Sequence, residues 1–196
     1  MKATLLCLAL IFLAGPCAAQ ENLVPEDAPI RAGRAPRAFG RDYGRALQPQ
    51  VGKDVRVFAV IEGGLVPDFV VGLKTAKEGY RIFMIGERRG NGLERCESPI
   101  GQGLARDIIL AWDKVLRQTR APTSPPVGGA DVPFFHFGSQ RPSGLAMGWV
   151  LDTPPTSNPA RLGRIASGLL QMCSGDRMQP VPDALADIRT ALRAIH

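Results

Sequence analysis

The sequence predicts an α+β fold, in which an antiparallel sheet of about five strands carries two or three helices on one face. Three observations predict it. Short segments with alternating apolar residues come in groups. Apolar residues recur at helical spacing in the segments between and after those groups. The chain has 196 residues, which is enough for one compact domain.

The first group of predicted strands forms an antiparallel meander. Apolar residues alternate along residues 55–61, 69–73 and 80–85, and each run has the length of an ordinary strand. Gly63-Gly64 ends the first run. Gly79 supplies the turn before the third, because glycine adopts a positive φ without steric cost. Short turns of this kind join neighbouring strands that run in opposite directions.

A polar segment and an amphipathic helix are expected next. Residues 86–97 are charged and rich in glycine, which predicts a loop. Ser98 and Pro99 then predict the start of a helix, with serine as the N-cap and proline at the first helical position. The apolar residues that recur along this helix are Leu104, Ile108, Ala111, Trp112 and Val115. Pro122 ends it.

The second half of the chain predicts a hairpin followed by two helices. Residues 121–132 are rich in proline and glycine and predict a loop. Alternation over residues 134–138 and 145–151 predicts two strands. Apolar residues at helical spacing predict helices over residues 158–173 and 183–195.

Residues 1–19 predict a secretory signal peptide that is cut between Ala19 and Gln20. A basic start precedes an apolar run of about ten residues, and small residues precede the cut. The run is too short to anchor the chain in a membrane, so no transmembrane segment is expected after cleavage. Pro16 directly before Cys17 argues against a lipoprotein. The expected location is therefore the periplasm or the extracellular medium.

Residues 20–50 predict a flexible segment that carries arginines, and residues 51–196 predict a single α+β domain. Glycines and a proline fall among its arginines, between residues 31 and 45, so a helix there is weak. Its arginines, spaced three and four apart, are Arg31, Arg34, Arg37, Arg41 and Arg45. Such a segment can bind an anionic surface and become ordered on contact.

The mature chain keeps two of the four cysteines, Cys96 and Cys173. In an exported protein two cysteines predict a disulfide. The bond closes a loop of about 77 residues, which the chain-entropy treatment values at about 4 kcal/mol. No metal site or other cofactor is predicted, because the two cysteines and two histidines, His136 and His196, lack close ligand spacing.

The composition is that of a globular protein with a basic surface. Apolar residues make up 45% and charged residues 21%, which argues against disorder. The net charge is +6, and 19 of the 24 basic residues are arginine. Anionic partners are therefore compatible with the chain. Nucleic acid is disfavoured, because the chain is exported and has only two Tyr and two Trp for base stacking.

One set of residues permits a hydrolytic site. His136 is the only internal histidine, Ser139 is close in sequence, and Asp152 lies at the end of the hairpin. A nucleophile, a base and an orienting carboxylate can be drawn from them. Neither a G-x-S-x-G elbow nor a glycine-rich phosphate loop is present.

The function favoured by these observations is an exported, non-enzymatic protein-interaction module of the inhibitor, immunity or envelope-assembly type. Residues expected to bind its partner are Arg88, Arg89 and Arg95 in the first polar loop, and Trp149 if its ring is exposed. The alternative is a small exported hydrolase that uses His136 with Ser139 or an acidic partner. Association with a membrane surface is a third possibility.

Overall fold

The computed structural model describes residues 21–25, 54–62, 69–88, 92–121, 134–151, 153–174 and 181–195. In these residues the protein is an antiparallel sheet of seven strands with three helices, so the α+β prediction is confirmed and the expected strand count of about five is too low. The elements are β1 Val24–Pro25, β2 Val55–Glu62, β3 Phe69–Ala76, β4 Gly79–Arg88, β5 Gly92–Ile100, α1 Gln102–Arg117, β6 Phe134–Arg141, β7 Gly144–Val150, α2 Asn158–Ser174 and α3 Val181–Ala194.

The strands follow the order β1-β7-β6-β2-β3-β4-β5, and all neighbouring pairs are antiparallel. Strands β2, β3, β4 and β5 are neighbours in sequence order and form one half of the sheet, which ends at β5. The later hairpin β6–β7 lies between β2 and the short strand β1. Gly79 and Gly144, at the turns before β4 and β7, have φ values of 114° and 120°. Glycine suits these positions because residues with a side chain rarely adopt a positive φ.

One face of the sheet, called the helix face below, packs against the helices. Val57, Leu73, Ile82 and Phe137 from four strands join the helices in the main apolar core. The indole of Trp112 on α1 meets the ring of Phe137 edge-on, with centroids 5.5 Å apart. This arrangement confirms the amphipathic pattern that predicted α1.

The two C-terminal helices pack against each other, and α2 also packs on the sheet. A side chain at Gly168 on α2 would place its Cβ 2.6 Å from Cγ1 of Ile188 on α3. Glycine therefore permits the close approach of α2 and α3. Helix α2 is capped by Ser157, whose hydroxyl accepts a hydrogen bond from the Ala160 amide at 3.2 Å.

The opposite side, called the second face below, carries a separate apolar cluster. Its members are at most 2% exposed, and they are Val55, Phe58, Val60, Val70, Phe83 and Ile85. The Phe58 ring lies over Gly138 of the neighbouring strand β6, in space that a side chain at Gly138 would occupy. Both faces of the sheet therefore carry a buried apolar cluster.

The prediction of a loop over residues 86–97 is wrong for residues 86–88, which end β4, and for residues 92–97, which form most of β5. Residues 89–91 lie outside the described residues. Strand β5 lies at the rim of the sheet, where charged side chains such as Glu94 and Arg95 stay exposed. Charge along an edge strand hides the alternation that reveals a strand.

The predicted helix start at Ser98 is also wrong. Both Ser98 and Pro99 pair with β4, and α1 begins at Gln102 without a side-chain cap. Proline is tolerated in β5 because an edge strand does not need every amide for pairing.

The disulfide between Cys96 and Cys173 is present, as predicted, and it joins β5 to the last turns of α2. Part of the expected flexible segment is strand: Val24 and Pro25 pair with Trp149 and Gly148 of β7. The remainder of that segment, the signal peptide and most of the loop over residues 121–132 lie outside the described residues. None of the described helices is long and apolar enough to cross a membrane.

Candidate functional site

His136 and Ser139 lie on β6 but on opposite faces of the sheet. His136 pairs with Val60 and Trp149 on the second face, and Ser139 points to α1 on the helix face. Their separation by three residues requires this, since side chains alternate along a strand. Asp152 lies outside the described residues. The structure therefore does not bring His136 and Ser139 together as nucleophile and base.

Ser139 belongs to a polar network that ties α1 to the sheet. Its hydroxyl, 1% exposed, donates a hydrogen bond of 2.6 Å to Oδ1 of Asp113 on α1. Arg141 donates from Nε to the same oxygen at 3.1 Å and from Nη2 to the Asp113 carbonyl at 3.1 Å. The carboxylate charge is thus compensated by a guanidinium, and the hydroxyl has its acceptor. This geometry suits a structural clamp.

His136 is fully buried among aromatic rings. Its ring centroid lies 4.8 Å from that of Phe134, which in turn stacks on Trp149 at 5.1 Å. Binding by Trp149 was predicted only if its ring is exposed. The residue is 2% exposed, so that condition is not fulfilled. Both side chains contribute to the packing of the second face.

The structure describes only some of the arginines that were predicted to bind a partner. Arg95 is exposed on β5, directly opposite Ile85 of β4. Arg88 is the last residue of β4, and Arg89 lies outside the described residues. The five arginines Arg31, Arg34, Arg37, Arg41 and Arg45 also lie outside them.

Around Arg95 the structure assembles a charged surface that we call the basic edge, formed by Lys74, Arg81, Arg95 and Glu97. Register places these four residues on the second face, on the three outermost strands β3, β4 and β5. Glu97 is shared by two cations, with Lys74 Nζ 2.5 Å from Oε1 and Arg81 Nε 3.4 Å from Oε2. Within the described part of the chain, no ion pair is seen for Arg95. Among the side chains that the structure describes on these three strands, three cations thus share this face with one carboxylate.

A polar groove of about 290 Å³ lies beside the start of α2. Glu21 and Asn22 contribute to its wall from the segment before β1, and Ser157, Asn158 and Arg161 contribute from α2 and its cap. Nη1 of Arg161 donates a 2.9 Å hydrogen bond to Asn158 Oδ1. The lining includes both Glu21 and Arg161, so the groove has no single charge preference.

Sequence reasoning missed two parts of these sites. Sequence spacing does not show that Asp113 contacts Arg141, because the two residues lie on different elements. The two-residue spacing of Ser139 and Arg141 on a strand does place both side chains on one face. Lys74, Arg81 and Glu97 come from three strands, and only the register of β3, β4 and β5 brings them together.

In the described residues, no group of three or more His, Cys, Asp or Glu side chains is placed to hold a metal ion. No protein-family model matches the chain, and comparisons with curated proteins and with solved structures find no significant similarity.

Proposed function

We propose that this protein is an exported, non-enzymatic protein-interaction module that works in the periplasm or outside the cell. Two features support export. Residues 1–19 have the pattern of a cleaved signal peptide. The disulfide between Cys96 and Cys173 is of a kind that persists in oxidising compartments.

The basic edge is the observation that carries the proposal. Among the strands that the structure describes, β5 is the last of the sheet, and we propose that its outer backbone groups pair with an extended segment of another protein. Arg95 lies on this strand with its side chain exposed, and Lys74 and Arg81 flank Glu97 beside it. An extended segment with acidic side chains complements both the backbone edge and its charge.

Two features of β5 restrict what can pair with it. Pro99 lacks an amide hydrogen, which limits pairing near the end of the strand. Charged side chains at the rim oppose pairing with neutral apolar strands, because their desolvation must be compensated. Arg31, Arg34, Arg37, Arg41 and Arg45 add positive charge to the same chain and fit an anionic partner surface. The partner is therefore a protein with an acidic, extended segment, in an inhibitor, immunity or envelope-assembly setting.

The hydrolase alternative gains no support from the described geometry. The form with Ser139 needs the Ser139 hydroxyl beside the His136 imidazole, and the sheet separates the two. The form with an acidic partner stays a prediction, because Asp152 lies outside the described residues. The Ser139 hydroxyl instead donates to Asp113.

Affinity capture with paired charge reversals tests the proposal. Tagged mature protein, residues 20–196 in the oxidised form, is passed through envelope and culture-supernatant extracts at about 150 mM salt, where exposed charges are already partly screened. Arg95→Glu is compared with Arg106→Glu, which makes the same charge change at an exposed position on α1. We expect a protein that the wild type and Arg106→Glu retain and Arg95→Glu loses. Equal retention by both variants, or no retained protein, contradicts the proposal.

A further inference from the structure

Strand β5 carries exposed charges of both signs within four residues. Arg95 and Glu97 lie on the second face, two residues apart, and Glu94 lies on the helix face. Among the strands that the structure describes, none pairs with β5 on the side away from β4. An edge strand of this kind is a template for pairing with another strand. The charges along β5 indicate which strand complements it.

We propose that β5 pairs with β5 of a second copy of this chain, antiparallel and with Cys96 opposite Cys96. A two-fold axis perpendicular to the sheet then relates the two copies, as in most protein dimers. This register places Arg95 of each copy directly opposite Glu97 of the other copy, so the pair occurs twice. Facing residues of an antiparallel pair have Cβ atoms about 5 Å apart, and opposite charges there stabilise the pair.

Charge selects this register from the alternatives, because the two-fold axis could pass through other residues of β5. An axis at Glu94, at Arg95 or at Glu97 places that residue opposite its own copy, so two like charges face each other. An axis at Ser98 leaves Arg95 and Glu97 without a facing opposite charge. Of these five axis positions, only the one at Cys96 compensates the charges on the second face.

Glu97 can accept Arg95 of the second copy although two cations already lie beside it. Lys74 Nζ lies 2.5 Å from Oε1, whereas Arg81 Nε lies 3.4 Å from Oε2. The second distance exceeds the roughly 3 Å of an ordinary hydrogen bond, and a carboxylate has about four acceptor sites. Oε2 can therefore receive a further guanidinium. Arg95, for which no ion pair is seen among the described residues, gains one.

Self-pairing adds a control to the edge that the proposed partner uses. A single pair of strands buries little surface, so the dimer is weak and forms only in concentrated protein. A second copy and an acidic segment require the same backbone groups and the same Arg95, so each excludes the other. Dilution then frees the edge for the partner. The inference does not rest on the proposed function, since it uses only the residues of β5 and their neighbours.

Sedimentation of the mature, oxidised protein from micromolar to millimolar concentration tests the inference with two charge reversals. Arg95→Glu makes both facing pairs acidic, and Glu97→Arg makes both basic. We expect each variant alone to raise the dissociation constant of the dimer at least about tenfold, because two attractive pairs become repulsive. Arg106→Glu and Asp107→Arg make the same charge changes at exposed positions on α1 and should dimerise like the wild type.

An equal mixture of the two β5 variants gives the sharpest result. In the mixed dimer the introduced carboxylate faces the introduced guanidinium, and Glu97 of one variant faces Arg95 of the other. We therefore expect a heterodimer about as stable as the wild-type dimer, although neither variant dimerises alone. Thermal unfolding checks that both variants are folded. If Glu97→Arg does not fold beside Lys74 and Arg81, Glu97→Gln replaces it, and its mixture with Arg95→Glu should dimerise more tightly than Arg95→Glu alone.

Three results overturn the inference: a wild type that stays monomeric at millimolar concentration, β5 variants that dimerise as the wild type does, and a mixture without heterodimer. None of them bears on the affinity capture, which is done with dilute protein and depends on a different molecule. Failure of the capture likewise leaves the sedimentation result intact, so the two proposals fail separately.

Discussion

Ser139 and His136 show how alternation along one strand assigns neighbouring residues to different environments. Ser139 on β6 donates a hydrogen bond to the Asp113 carboxylate of α1, whereas His136 packs against Phe134 on the second face. The pairing of these residues in a hydrolytic site was compatible with their sequence spacing but not with the faces they occupy. In the described structure the Ser139 side chain forms a hydrogen bond to Asp113 and the His136 side chain packs against Phe134.

The Asp113 clamp makes a prediction about stability. Ser139→Ala removes a hydroxyl that is buried against a carboxylate, and we expect a loss of about 1–2 kcal/mol in the free energy of unfolding. Ser143→Ala, at an exposed turn position, is the control and should change stability by less than about 0.5 kcal/mol. Urea unfolding of both variants measures the difference. Equal stability of the two variants would show that the clamp is unimportant.

The close approach of β2 and β3 at Gly72 makes a second prediction. A Cβ at Gly72 would collide with the carbonyl of Val57 and the backbone of Phe58 on β2, next to an irregularity in the register. We expect Gly72→Ala to cost about 3 kcal/mol, because backbone cannot move aside as a flexible side chain does. Gly103→Ala on α1 is the control. It meets nothing within 4 Å and should stabilise the protein by roughly 0.5 kcal/mol through helix propensity.

A thermal unfolding series on the two glycine variants and the wild type compares these effects directly. A Gly72→Ala protein that melts with the wild type would mean that β2 and β3 are farther apart than the structure places them.

Among the elements, those with a buried apolar face could be predicted from sequence and those at the rim could not. Alternation in β2 and β3 and helical spacing in α1 arise because one side of each element is excluded from water. Strand β5 borders the sheet on one side only, so Arg95 and Glu97 can remain solvated there. The same exposed charges that obscure the strand pattern of β5 support the proposal that it binds a partner.

The candidate site follows the same rule. Arg95 was singled out from sequence, although as part of a loop. Its neighbours Lys74 and Arg81 could not be, because their proximity depends on strand register and not on distance along the chain.

The disulfide is the strongest link between elements that can be tested chemically. It joins β5 to α2 across a sequence separation of 77 residues. We expect the double variant Cys96→Ala/Cys173→Ala to lose about 4 kcal/mol of stability, since its unfolded chain regains the entropy of the open loop. Reducing agent should destabilise the wild type by a similar amount and leave the double variant unchanged.

A count of thiols checks the pairing itself. Denatured mature protein should show no free thiol before reduction and two after it. A free thiol in the oxidised protein would mean that the bond is incomplete and that the clamp between β5 and α2 is not constitutive.

At the scale of the whole molecule, the two faces of the sheet differ in what packs on them and in their charge. The helix face holds α1 and α2 and most of the apolar core, and the disulfide fixes α2 to the rim. The second face is apolar at its centre and charged at its outer strands, where the basic edge lies. For the proposed partner, a rigid sheet with a charged rim would be a preorganised binding edge, which lowers the entropic cost of association.

Backbone hydrogen exchange of the mature, oxidised protein, with and without the captured partner, shows whether the partner binds along β5. Pairing of a partner segment with the outer edge of β5 must protect amides of that strand. We expect slower exchange in residues 92–98 on binding, with α1 unchanged and with the protection weakening as salt is raised. Protection confined to α1 or to α3, with β5 exchanging as in the free protein, would contradict binding at the basic edge.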